Sequence, residues 1–100
     1  MLIVIPVKDE NNLTIAPRMG AKKWVAIDFE EGVIKNQRLI DDPFKEFDWI
    51  DFAILENSFE NYMDFLDIGT MVLVRREGQD SIEDLIEAFK FKELDEIGSF

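Results

Sequence analysis

The chain has 100 residues, of which 47% are hydrophobic, and its formal net charge is −11. That length and apolar content predict one folded domain spanning residues 1–100 and exclude a mostly disordered chain. The absence of Cys and His excludes disulfides, thiolate metal sites and His-based catalysis, and the negative charge disfavours nucleic acid and anionic membranes as partners.

The opening segment, residues 2–7, is a continuous apolar, mostly β-branched run. It predicts a strand in the middle of a sheet, covered on both faces. Pro6 cannot donate a hydrogen bond to a neighbouring strand, so we expect the strand to end there. The run has no basic residues before it, and the chain has no apolar run near the ~20 residues of a membrane helix. We therefore predict a cytoplasmic protein.

A long polar connection over residues 8–23 follows, and it predicts a loop. Loops of this length in compact domains are often functional. Residues 24–29 and 33–40 then predict two strands joined by a tight turn at Gly32, because glycine can adopt positive φ. The polar middle of the second of these strands is typical of a sheet edge.

An Asp-Asp-Pro sequence interrupts the chain, and residues 44–48 are too few for a stable helix. A fourth strand is predicted over residues 49–55. Asn57 and Glu60 then have the spacing of a capping box, which predicts a helix over residues 57–66 with Asn57 as its N-cap. Four apolar residues recur at the spacing of one helical face: Phe59, Tyr62, Met63 and Leu66.

The last part of the chain predicts a fifth strand at residues 71–74 and a second amphipathic helix. The apolar face of that helix consists of Ile82, Leu85, Ile86 and Phe89. We expect the tail from Glu93 to be loosely held. The whole order predicts an α/β domain with a mixed sheet, the first strand in its centre, and two main helices.

Several stretches together resemble the dinitrogenase iron–molybdenum cofactor-binding family, the NifX-like domains. They are the opening strand at 3–7, the Met-Gly-Ala of 19–21 ahead of Trp24, residues 27–36, and residues 81–89. The resemblance implies a ribonuclease H-like motif, with a five-stranded mixed sheet in the order 3-2-1-4-5 and strand 2 antiparallel. It also implies a role in metallocluster biosynthesis related to nitrogen fixation, with the iron–molybdenum cofactor or a related cluster as ligand. The chain lacks the cluster-ligating Cys or His of some members, and no helix is predicted between its third and fourth strands.

The candidate binding site is the predicted loop, because open α/β sheets bind ligands at the carboxyl ends of their central strands. Arg18 and Lys22 would supply positive charge there, and Gly20 would allow the backbone to approach the ligand closely. Met19 is either a soft sulfur ligand or a packing residue. Asn57 would begin a helix whose amide groups also face this edge. The ligand would be an anionic metal-containing cofactor or a small anion; the alternative is that the basic residues only solvate the loop.

Catalysis is disfavoured. Asp9, Glu10 and Glu56 could hold Mg²⁺ for nuclease chemistry, but nucleases of the implied fold carry an acid in the first strand, where this chain has Ile3 and Ile5. We therefore predict a non-enzymatic binding domain with no metal ligands of its own. The alternative is a relative that has lost cofactor binding and acts as an interaction module or homodimer, since a missing helix would uncover part of the sheet.

Overall fold

A computed structural model describes residues 1–98, and they form an α/β protein with a mixed sheet. The elements in chain order are β1 (Leu2–Asp9), β2 (Asn12–Ile15), β3 (Lys23–Glu30), β4 (Val33–Ile40), α1 (Pro43–Glu46), β5 (Phe52–Leu55), α2 (Met63–Asp67), β6 (Met71–Val74), α3 (Ile82–Lys90) and β7 (Asp95–Gly98). A single turn of 3₁₀ helix, Arg18–Gly20, lies between β2 and β3. None of the helices within residues 1–98 is long and apolar enough to cross a membrane.

The sheet within the described residues has seven strands in the order β4-β3-β1-β5-β6-β7, with β2 paired to β1. The strand β1 runs antiparallel to β3 and parallel to β5, and β5 runs parallel to β6. The five predicted strands correspond to β1, β3, β4, β5 and β6, and they lie in the predicted order with β3 antiparallel. The predicted count of five is wrong, because β2 and β7 extend the sheet.

Both additional strands come from segments that we expected to be irregular. Leu13 and Ile15 alternate with polar residues, and β2 pairs antiparallel with β1, so the predicted loop at 8–23 is largely structured. The Ile15 amide donates to the Asp80 carbonyl at 3.0 Å. Residues 95–98 of the tail that was expected to be loose instead form β7, which pairs with β6, and Leu94 just before it is buried. Residues 99–100 of that tail lie outside the described residues.

Pro6 does not end β1, which continues to Asp9. The carbonyl of Pro6 accepts a hydrogen bond from the Ala16 amide at 3.0 Å, on the β2 side of the strand. The nitrogen and the carbonyl of one residue point to the same side of a strand. The missing N–H therefore lies away from β3, and the β1–β3 ladder continues through Pro6, which is paired with Trp24.

Two apolar cores lie on opposite faces of the sheet, because side chains of β1 alternate between them. Ile3, Ile5 and Val7 face a core that α3 covers. Val4 faces the second core, where α1 and α2 pack and Phe65 is fully buried. Burying a side chain of this size stabilises the fold by roughly 1.5–3 kcal/mol. The layers are therefore helix, sheet and helix.

The segment between β4 and β6 differs most from prediction. A short helix, α1, does form after β4, because the Asp42 side chain accepts a hydrogen bond from the Phe44 amide at 2.9 Å and Pro43 occupies the first helical position. The helix predicted over 57–66 is shorter and begins at Met63, so Asn57 is not its N-cap. Trp49, expected in the fourth strand, is 72% exposed before β5 begins.

Candidate functional site

A surface groove of about 640 Å³ lies beyond the carboxyl end of β5, and we call it the carboxyl-edge groove. One side comes from the segment after β2, and the other from the turns between β5 and α2. Its lining consists of Pro17, Arg18, Met19, Trp24, Asp42, Asn57, Phe59, Glu60, Asn61 and Asp64. This is the edge at which open α/β sheets usually bind ligands.

Arg18 connects the two sides of the groove through hydrogen bonds. Its two terminal nitrogens donate to the two carboxylate oxygens of Asp64, at 2.9 and 2.8 Å. One of them also donates to the carbonyl of Asn61 at 2.7 Å. The guanidinium lies 4.9 Å from the ring centroid of Phe65, so it packs on the core as well. The charge of Arg18 is therefore already matched by a carboxylate of the protein.

Glu60 makes a second connection across the groove. One of its carboxylate oxygens accepts from the backbone amide of Arg18, and the other accepts from the amide of Asn57 at 3.1 Å. The side-chain oxygen of Asn57 accepts from the Phe59 amide at 2.9 Å, which closes a local turn. These bonds hold residues 57–60 as turns against the start of the 3₁₀ helix.

Met19 and Phe59 are fully exposed although both line the groove. The Phe59 side chain is 95% accessible and that of Met19 is accessible over its whole surface. Large apolar side chains at interaction sites are the ones that gain most from being covered. These two residues are therefore the parts of the groove best suited to contact an apolar portion of a ligand.

The structure brings three of the five predicted site residues to this groove: Arg18, Met19 and Asn57. Gly20 lies at the end of the 3₁₀ turn, where its amide donates to the Pro17 carbonyl at 2.9 Å. A Cβ atom at Gly20 would meet no atom within 4 Å, so the protein itself does not require glycine there. Lys22 is exposed and lies outside the groove lining.

The remaining polar groups of the groove were not predicted as site residues. Asp42 was interpreted only as part of a chain break, Asp64 only as a position of the predicted helix over 57–66, and Glu60 only as part of the cap of that helix. No sequence signal identifies them as members of one site, because their proximity depends on contacts between distant segments. With Arg18 as the single cation of the lining against three carboxylates, the groove carries a net negative charge.

Asn57 connects the groove to a network of charged side chains formed by Glu56, Arg75 and Asp80. Its side-chain amide donates to Glu56 at 2.7 Å, and the Arg75 guanidinium donates to the other oxygen of Glu56 at 3.1 Å. Arg75 also bonds to Asp80 at 2.7 Å. The hydrogen bond from Asn57, together with Arg75, holds the pKa of the Glu56 carboxyl below its usual value, although partial burial opposes this shift.

The alternative magnesium site is not assembled. Glu56 is engaged by Asn57 and Arg75, and Asp9 accepts from the Asn11 amide at 2.8 Å. Across residues 1–98, no three Asp or Glu side chains converge in a way that could hold a metal ion.

We compared the chain with known families, curated proteins and solved structures, and only the solved structures gave matches. No family model matches the sequence, and no curated protein matches it. The crystal structure of PH0822 superposes with a TM-score of 0.74 at 19% identity, over 97% of this chain and 96% of that one. The crystal structure of a "putative dinitrogenase" (MJ0327) from Methanocaldococcus jannaschii gives 0.77 at 20% identity, over 100% and 97%. The chain has their fold.

The NMR structure of MJ0327 gives the same result, with a TM-score of 0.75 at 21% identity, over 100% of this chain and 95% of that one. In all three comparisons the alignment spans nearly all of both chains. At these identities the likeness is one of fold.

Proposed function

We propose that the chain is a non-enzymatic binding domain of the NifX-like type, which holds a metal-containing cofactor in the carboxyl-edge groove. The observation that carries the proposal is the pair of exposed apolar side chains, Met19 and Phe59, on a groove at the ligand-binding edge of the sheet. A fold shared with MJ0327, which is named a "putative dinitrogenase", supports the type of ligand.

The polar groups of the groove support binding rather than catalysis. Asp42 caps α1, Glu60 accepts from two backbone amides, and Asp64 is paired with Arg18. Each of these carboxylates therefore maintains the shape of the groove. A general acid or base would have to be available to a substrate proton at hydrogen-bonding distance.

The groove favours a cofactor that makes apolar contacts over a small free anion. A phosphate-sized anion would have to displace Asp64 from Arg18 and approach Asp42 and Glu60. An anionic cofactor would meet the same carboxylates, so its binding energy would come from contact with the exposed Phe59 and Met19 side chains. The Met19 thioether is a soft donor of the kind that binds soft metals. We therefore assign Met19 and Phe59 to the contact surface, and Arg18 and Asn57 to the floor that positions them.

The test is cofactor transfer under anaerobic conditions. Purified protein is mixed with isolated iron–molybdenum cofactor, and metal content and visible absorbance are followed through gel filtration. We expect molybdenum and iron to coelute with the wild type, and to fall several-fold for Met19→Leu. The matched control is Met63→Leu, because Met63 is also exposed but lies outside the groove.

Two results would overturn the proposal: a colourless, metal-free wild-type peak, or equal loss of metal in both methionine variants. Inorganic phosphate at millimolar concentration serves as the anion control. We expect it to leave the amide NMR signals of the groove unchanged, since Arg18 is already paired.

A further inference from the structure

A second concavity of about 470 Å³ lies between α3 and the strands β5 to β7, and we call it the α3–β7 pocket. It is lined by Phe52, Met71, Leu73, Phe89, Lys90, Lys92, Leu94 and Glu96. The apolar members belong to the core on the α3 face of the sheet, opposite the face of Trp24 and the carboxyl-edge groove. Its volume is within the range of small-molecule sites, roughly 300–1,000 Å³.

The walls of this pocket are apolar and only partly covered. Phe52 and Phe89 meet edge to face, with ring centroids 4.8 Å apart, and they form one wall. Met71 and both of these rings remain half-buried, so each leaves apolar surface that faces the concavity. A hydrocarbon or aromatic group inserted here would remove that surface from water.

The rim of the pocket is positively charged in a strongly acidic chain. Lys90 and Lys92 contribute two positive charges against one negative charge from Glu96. Within residues 1–98, the ion pairs of basic side chains involve Arg18, Lys23, Arg38, Arg75 and Arg76, and neither rim lysine is among them. The rim can therefore attract an anionic head group.

The backbone conformation of Lys92 is an independent reason to assign its side chain a role in ligand binding. Lys92 follows the end of α3 in the left-handed conformation, with φ of 57°. The Glu93 amide donates to the Ala88 carbonyl at 2.8 Å, and the Lys92 amide to the Phe89 carbonyl at 3.4 Å, which is the pattern of a Schellman cap. Glycine is the usual residue at this position because a side chain there is strained. The chain instead has a lysine whose side chain lines the pocket.

We propose that the α3–β7 pocket binds an alkyl or aryl carboxylate. The hydrocarbon part packs against Phe52, Met71 and Phe89, and the carboxylate lies beside Lys92, with Lys90 as the second cation. This site is separate from the carboxyl-edge groove, so it does not depend on the cofactor proposal.

The experiment is an NMR titration of the full chain with 2-naphthoate, with neutral 2-naphthylmethanol as the matched ligand. We expect 2-naphthoate to shift the methyl signals of Met71, Leu73 and Leu94, and to bind several-fold more tightly than the alcohol. Lys92→Gly should weaken 2-naphthoate binding about fivefold, the size of a partly exposed charge contact, and leave binding of the alcohol unchanged. Thermal stability of this variant should stay equal or rise, because glycine relieves the strained φ.

Glu31→Gly is the control, because Glu31 also has positive φ, 53°, but lies in the turn between β3 and β4. It should bind 2-naphthoate as the wild type does. Lys92→Asn, which tolerates the left-handed conformation, should weaken binding as Lys92→Gly does. The proposal is overturned if the alcohol binds as tightly as the carboxylate, if both Lys92 variants bind like the wild type, or if the shifts fall at Met19 instead.

Discussion

Arg18 and Asp64 are 46 positions apart in the chain, yet they form two parallel hydrogen bonds of 2.9 and 2.8 Å across the carboxyl-edge groove. The side chain of Arg18 is only 23% exposed, and its guanidinium lies over Phe65. Planar, two-point pairing of this kind fixes the relative orientation of the two side chains as well as the distance between them. The pair therefore ties the segment after β2 to α2 and sets the width of the groove.

Replacing Arg18 should destabilise the fold. Arg18→Ala removes both hydrogen bonds to Asp64 and the packing of the side-chain stem over Phe65, and we expect a loss of about 1–2 kcal/mol in the free energy of unfolding, because the pair is partly exposed. Arg18→Lys should lose less, since it keeps the charge but not the two-point geometry. Urea denaturation followed by Trp fluorescence measures both.

The control for Arg18 is Lys23→Ala, which removes the exposed ion pair between Lys23 and Asp41. This variant should lower the free energy of unfolding by less than Arg18→Ala does. If the two alanine variants were equally stable, the Arg18 pair would contribute no more than a surface ion pair, and the groove would lack the rigid floor that we assign to it.

The acid dependence of stability should include a contribution from Glu56. Its pKa is lowered in the folded state, chiefly by the hydrogen bond from the Asn57 side chain. Its contribution is therefore complete at pH values above the ordinary Glu pKa of about 4.3, and it is lost as the pH falls through the lowered value. Glu56→Gln should flatten the decline of unfolding free energy in this acidic range.

Asn57→Ala should raise the pKa of Glu56 towards its ordinary value, as measured by carboxyl ¹³C NMR titration. Asn36→Ala, on the exposed edge strand β4, provides the control and should leave that pKa unchanged. An unchanged Glu56 pKa in Asn57→Ala would mean that Arg75 alone lowers this pKa. Asn57 would then not couple the groove to the network of Glu56 and Arg75.

The presence of the central strands could be predicted because it depends on local signals, and their order agrees with the one that the resemblance implied. Residues 2–7 are apolar throughout, and the turn before β4 has Gly32 with φ of 80°, as expected from its residue type. Strands β2 and β7 were missed for the opposite reason. Each has four residues and contains charged or polar side chains, so its pairing depends on β1 or β6 rather than on its own pattern.

The helix predicted at Asn57 shows how a distant partner overrides a local motif. The expected contact between the Asn57 amide and Glu60 does form, at 3.1 Å. The second oxygen of Glu60, however, accepts from the Arg18 amide, and the Asn57 side chain closes a turn with Phe59 instead of capping a helix. No property of residues 57–60 alone reveals that Arg18 lies beside them, so the sequence predicted three members of the groove but not its carboxylates.

Two phenylalanines six positions apart should differ strongly in how much stability the same substitution removes. Phe65 is fully buried between Trp24 and Phe44, with ring centroids at 5.7 and 4.7 Å. Phe65→Ala should therefore cost about 3–5 kcal/mol of unfolding free energy. Phe59→Ala should change it by less than about 0.5 kcal/mol, because this side chain is exposed.

The cofactor-transfer assay should separate Phe59 from an exposed phenylalanine outside the groove. Phe59→Ala is expected to fold as the wild type does and to retain several-fold less iron and molybdenum, because it removes an exposed apolar contact of the groove without changing its floor. Phe91→Ala serves as the matched control and should retain wild-type metal content, because Phe91 is also exposed but lies outside the groove. If Phe59→Ala lost stability but no metal, Phe59 would be a structural residue and the apolar contact surface would reduce to Met19.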